Sequence, residues 1–183
     1  MRCCWLQLLA CCLLVCFTGA AQELKPQTIS SEAGKVLVTL KLASGNVLTV
    51  ESLVTFTPTQ GNRDDTLTGE LVFRFSRASR DTIAQAGKLA ITELPEQVVV
   101  KDVIAEFEKH AVCPALRFEF RQCVISFVDV KGLSEGFKLS FLESDHELSK
   151  MLCLWAKRIE MGRGGQRGVI ARFNELLKGK EGN

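Results

Sequence analysis

The sequence predicts an α+β domain: a mostly antiparallel β-sandwich or curved sheet of about seven strands, followed by a C-terminal helical hairpin. Three observations carry this. Apolar residues alternate with polar ones in several stretches between residues 35 and 142. The apolar period then lengthens to that of a helix. Eleven Phe and no Tyr supply an aromatic core with few polar handles.

Residues 1–21 read as a signal peptide. Arg2 supplies the positive charge, Cys3 to Phe17 is apolar but for Gln7, and Thr18-Gly19-Ala20-Ala21 offers small residues for cleavage. The run is shorter than the roughly 18–20 residues that span a bilayer, so no transmembrane segment is expected. Removing 21 of the 183 residues leaves 162, enough for one domain with its own core. The expected compartment is extracellular, or the lumen of the endoplasmic reticulum without a standard retention signal. No Asn heads a glycosylation sequon.

Residues 22–34 are polar and aperiodic, a flexible lead. Residues 35–142 form the β-rich domain with one short helix. Val36, Val38, Leu40 and Leu42 alternate along a first strand, and Ser44-Gly45-Asn46 turns it into a second over Val47–Thr57. Pro58–Thr68 reads as a polar loop. Leu71, Phe73 and Phe75 mark the next strand, and Ser79–Lys88 fits a short helix or a loop. Pro95–Lys101 reads as an inner strand. Asp102 is placed to cap a short helix from Val103 to Ala111, with Val103, Ile104 and Phe107 as its stripe.

Leu116, Phe118 and Phe120 alternate along another strand. Cys123–Val130 is apolar on both faces, as a central strand is, Lys131–Gly136 turns, and Phe137, Leu139 and Phe141 close the β region. Residues 143–183 form the helical hairpin on the same domain. Ser144-Asp145-His146-Glu147 has the spacing of a capping box. Leu148, Met151, Leu152, Trp155 and Ile159 follow at helical spacing. Gly162–Gly168 breaks the pattern, and Val169, Ile170, Phe173, Leu176 and Leu177 resume it.

Five of the eight cysteines leave with residues 1–21, and Cys113, Cys123 and Cys153 remain as disulfide candidates. An odd number in an oxidising compartment implies one bridge and one spare thiol, or a bond to another chain. Cys113–Cys123 is one option, and a bridge from Cys153 to either is the other. Cys153 lies off the apolar stripe among His146, Lys150 and Lys157. There its thiol is a candidate for reactivity or for a disulfide-linked dimer. A zinc set of His110, Cys113 and Cys123 with a ligand from the second helix is conceivable, but the spacing fits no compact zinc module. His146 and Cys153 stand about 10.5 Å apart along a helix, too far for a dyad.

No nucleophile, metal or cofactor motif appears, so neither an enzyme nor a cofactor is expected. Asp64-Asp65 lacks the order of a calcium loop and reads as a solvated turn. The formal net charge of +2 argues against a nucleic-acid partner. Between residues 157 and 181 seven Lys/Arg face three Glu. Lys157, Arg158, Arg163, Arg167, Arg172 and Lys178 are therefore candidate contacts for another protein or an anionic surface. The expected function is that of a secreted or lumenal, non-enzymatic binding protein. Two alternatives stand beside it. One is a small carrier with an apolar ligand among Phe73, Phe118 and Phe141. The other is a precursor cleaved after Arg158, at the dibasic pair Lys157-Arg158, to release a basic peptide.

Overall fold

A computed structural model describes residues 27–110, 113–128, 130–162 and 167–179. The segment 1–21, expected from the sequence as a signal peptide, lies outside the described residues, as does Arg163. The fold is α+β: an eight-stranded antiparallel sheet curled into a half-barrel, with three helices, the last two C-terminal. No helix among the described residues is long and apolar enough to cross a membrane.

The strands are β1 (Gly34–Lys41), β2 (Val47–Gly61), β3 (Thr66–Phe75), β4 (Gln97–Phe107), β5 (Ala115–Phe120), β6 (Val124–Phe127), β7 (Val130–Ser134) and β8 (Phe137–Leu142). Their order across the sheet is β6-β7-β1-β2-β3-β4-β5-β8. Helix α1 (Arg77–Gly87) follows β3, and α2 (Glu147–Glu160) and α3 (Arg167–Lys178) follow β8.

Alternation decides the inner face. Val36, Val38 and Leu40 of β1, Leu67, Leu71 and Phe73 of β3, and Leu116, Phe118 and Phe120 of β5 are all buried. The rings meet across the concave side: Phe118 lies 5.1 Å from Phe141 and Phe56 lies 4.9 Å from Phe120, both edge-on. Leu148, Leu152 and Trp155 of α2 and Ile170, Phe173 and Leu176 of α3 cover this side.

Several expected elements change. The eighth strand arises because Cys123–Val130 is not one central strand. It divides into edge strand β6 and, after a turn at Val128 (φ 49°), β7. The apolar run had suggested burial on both faces, yet β6 alternates and Val124, on its outer face, is 66 % exposed. β2 and β3 also run through most of the expected polar loop, which shrinks to Asn62–Asp65.

The helix expected over 103–111 does not form: 103–107 are the second half of β4, 108–110 follow it outside the strand, and residue 111 lies outside the described residues. Asp102 has φ 56°, and the β3–β4 register shifts between Gly69 and Leu71. It is a bulge residue, not a cap, and after it Val103–Glu106 pair again with β3. Gly69 faces this irregularity because a Cβ there would stand 2.5 Å from the Phe56 ring. The expected capping box of Ser144 and Glu147 does not form. Glu147 opens α2 with His146 as a cap that makes no side-chain bond, while Ser149 Oγ accepts the amide of Ser144 at 3.0 Å.

Residues 27–33, expected as part of a flexible lead, are tied down. Ser31 N–H donates to Phe56 O and Glu32 N–H to Ser140 O, each at 2.8 Å. The second bond reaches the outer edge of β8, so the lead and the start of β1 close against the far end of the sheet. Gly34 permits that approach, since a Cβ there would lie 2.5 Å from Leu139 Cδ2.

The tip of the β2–β3 hairpin is clamped by the helices. Asn174 of α3 accepts the Gly61 N–H at 2.7 Å and donates to the Gly61 carbonyl at 3.0 Å. Trp155 Nε1–H donates to Asp65 Oδ1 at 2.9 Å, and its ring lies over Gly61. The Asp64-Asp65 turn is thus a docking point for α2 and α3 and not simply a solvated loop.

Candidate functional site

The pocket with the clearest chemistry lies where β3 passes into α1. It encloses about 690 Å³, opens to solvent, and is lined by Arg74, Phe75, Arg80, Pro95, Glu96 and Gln97. Local geometry puts these together. Ser76 Oγ caps α1 by accepting the Ser79 N–H at 3.0 Å, and Ser79 Oγ–H donates to Glu51 O of β2 at 2.9 Å. The helix is therefore pinned close to the sheet. Phe75 N–H donates to Glu96 O at 3.0 Å, and Arg74 pairs with Gln97 across β3 and β4.

Arg80 is the central group. Its side chain is 18 % exposed, and its Nη2 donates to Glu96 Oε1 at 3.1 Å. Its Nε–H is buried with no acceptor among the described residues. A buried N–H without a partner costs about 1–3 kcal/mol, so the pocket is poised for an acceptor brought from outside the chain. Arg74 adds a second, exposed guanidinium with no ion pair among the described residues. A guanidinium stays charged and donates in a fixed fork that matches carboxylate, sulfate or phosphate oxygens. It neither takes nor gives a proton near neutrality.

The cations expected as contacts on the C-terminal helices differ in their surroundings among the described residues. Arg172 pairs with Glu147 at 3.2 Å and with Glu175 at 3.6 Å. Arg158 is half-buried, while Lys157, Arg167 and Lys178 are exposed.

Among the cysteines the structure joins Cys113 to Cys153, with Cα atoms 5.7 Å apart. Cys153 is thus engaged within the chain, and neither a reactive Cys153 nor a dimer linked through it fits this arrangement. The helical wheel placed Cys153 off the core stripe correctly. It could not show that the turn before β5 would reach over that flank of α2. Among the described residues the cysteine left outside a bridge is Cys123, which is buried. Its Sγ–H donates to Arg121 O at 3.4 Å and its N–H to Ser134 Oγ at 2.9 Å.

Burial raises the Cys123 pKa, the Ser134 hydrogen bond opposing it. The native thiol should therefore react with iodoacetamide far more slowly than the same thiol in urea, by at least about tenfold. Mass spectrometry after timed labelling checks this, and equal rates would show an exposed thiolate. The zinc set of His110, Cys113 and Cys123 is not assembled. His110 Nδ1 instead pairs with Glu160 Oε1 at 2.7 Å.

Two other groups have shifted pKa values. The hydrogen bond from Lys138 holds the Glu108 carboxyl below its ordinary value, and Glu108 and Glu119 raise Lys138. Arg117 joins this cluster at 3.7 Å from Glu108. The cluster joins Glu108, just past the end of β4, to β5 and β8 on the solvent side, an ion-pair network that ties strands together.

The sequence reading missed the Arg74–Arg80 pocket. Its signal was Arg74, Arg77 and Arg80 at intervals of three across the end of a strand. The other wall, Pro95–Gln97, arrives only through β4 pairing. Compared with protein-family models, curated proteins and solved structures, the chain matches none.

Proposed function

We propose that this chain is a non-enzymatic binding protein of the secretory pathway that grips an anionic group on a partner protein through the Arg74–Arg80 pocket. The observation that carries the reading is the buried Arg80 Nε–H without an acceptor beside a second guanidinium. The two guanidinium groups support an anion-binding reading, since their donor forks match carboxylate or phosphate oxygens. An intramolecular disulfide and the absence of a membrane-length apolar helix among the described residues are compatible with a secreted or lumenal setting.

The two alternative functions have less support. Phe73, Phe118 and Phe141 are buried against other rings, so a carrier would have to part them to admit a ligand. Cleavage after Arg158 would remove α3, whose Phe173 and Leu176 are fully buried.

The test is binding of an oligoglutamate peptide to the purified protein by calorimetry. Arg80→Ala should weaken it by about tenfold or more, the value of one charge-assisted contact. Arg172→Ala, on the C-terminal helices, should leave it unchanged. Equal affinity of the Arg80→Ala and wild-type proteins would overturn the proposal. A loss confined to Arg172→Ala would return the contact surface to those helices.

A further inference from the structure

We propose that Cys113, Glu143 and Cys153 form a redox-gated site for a thiophilic divalent cation of the zinc class. Their two sulfurs and one carboxylate oxygen lie within 4.8 Å of one another. A tetrahedral ion with bonds of about 2.0–2.3 Å holds its ligands about 3.3–3.8 Å apart. The sulfurs, now bonded to each other, would need only to part around the ion.

Three elements hold the set from different directions. Cys113 sits in the turn before β5, Glu143 directly after β8, and Cys153 on α2. β5 and β8 pair in register from Ala115↔Leu142 to Phe120↔Phe137, and the Glu143 N–H donates to Pro114 O at 3.0 Å. That bond keeps Glu143 beside Cys113 whether or not the disulfide is closed. Glu143 is exposed and the two cysteines half-buried, so an ion can enter from solvent and keep a water as fourth ligand. Two thiolates and a carboxylate favour zinc-like ions over calcium or magnesium.

The exchange balances with a dithiol as reductant. The dithiol gives two electrons and two protons to the S–S bond and is itself oxidised to a cyclic disulfide. The chain then carries two thiols. The cation displaces both protons to solvent and forms two metal–sulfur bonds. Reoxidation by a disulfide reverses the sequence and releases the ion. The disulfide and the loaded site are thus mutually exclusive states of one pair of cysteines.

The experiment uses the purified protein, reduced with a dithiol, desalted without oxygen and titrated with Co²⁺. One equivalent should produce thiolate-to-cobalt charge-transfer absorption, which Zn²⁺ then displaces. The oxidised protein should show none. Glu143→Gln, a surface change, should weaken Co²⁺ binding by about tenfold or more, and Cys123→Ser should leave it unchanged. A reduced protein that keeps its far-ultraviolet circular dichroism yet gives no cobalt–thiolate absorption would overturn the proposal. So would an unchanged affinity in Glu143→Gln, or loss of the fold on reduction, since the site would then not exist in the reduced state. None of these outcomes bears on the Arg80 pocket.

Discussion

Trp155→Ala is expected to cost about 3–5 kcal/mol of stability, the range for truncating a buried Trp or Phe. The side chain is fully buried and its ring lies 5.3 Å from Phe107 and 5.9 Å from Phe173. It therefore links β4, α2 and α3. It also covers Gly61, where a Cβ would lie 2.8 Å from the ring, and donates to Asp65. Truncation removes apolar burial and strips the hairpin tip of one of its two anchors. Trp155→Phe keeps much of the ring and loses the Nε1–H, so its cost should be clearly smaller. Urea denaturation followed by circular dichroism ranks the variants. A loss under about 1 kcal/mol for Trp155→Ala would mean that the helices are not seated on the sheet as described.

Removing the disulfide is the second large effect. Cys113 and Cys153 are 40 residues apart in sequence, and closing a loop of that length restricts the unfolded chain by about 4 kcal/mol in the chain-entropy estimate. The Cys113→Ser/Cys153→Ser double variant should therefore lose about 3–4 kcal/mol in urea without reductant. Wild-type protein under reducing, metal-free conditions should fall by a similar amount. Cys123→Ser should stay close to wild type, because a hydroxyl keeps the reach to Arg121 O. If the double variant matched the oxidised wild type, Cys113 and Cys153 would not be bridged in solution.

Local patterns told much of the fold. Val36/Val38/Leu40, Leu71/Phe73/Phe75 and Leu116/Phe118/Phe120 point to one side of a pleat, and these became β1, β3 and β5. The stripes Leu148–Trp155 and Val169–Leu176 became α2 and α3. The failures lie where local pattern and long-range pairing disagree. Val103, Ile104 and Phe107 mimic a helical stripe, and Asp102 looks like a cap. Only pairing with Thr66–Gly69 shows a bulged strand. Cys123–Val130 has the composition of a buried strand, but sheet order places β6 at an edge. The pocket was less legible still, because one wall is α1 and the other comes from Pro95–Gln97. The disulfide pairing depended on how a turn and a helix meet, which spacing along the chain does not encode.

The clamp on the hairpin tip bears on timing. The bonds between Gly61 and Asn174 span 113 residues. During synthesis from the amino terminus, neither can form until α3 has emerged. Until then the Gly61 amide and carbonyl lack those partners, and the Trp155 ring lacks its contact with Phe173. A domain whose eight strands all end by residue 142 must therefore wait for its final helix before the hairpin tip is clamped. Any truncation that stops before Asn174 holds it in that unclamped state.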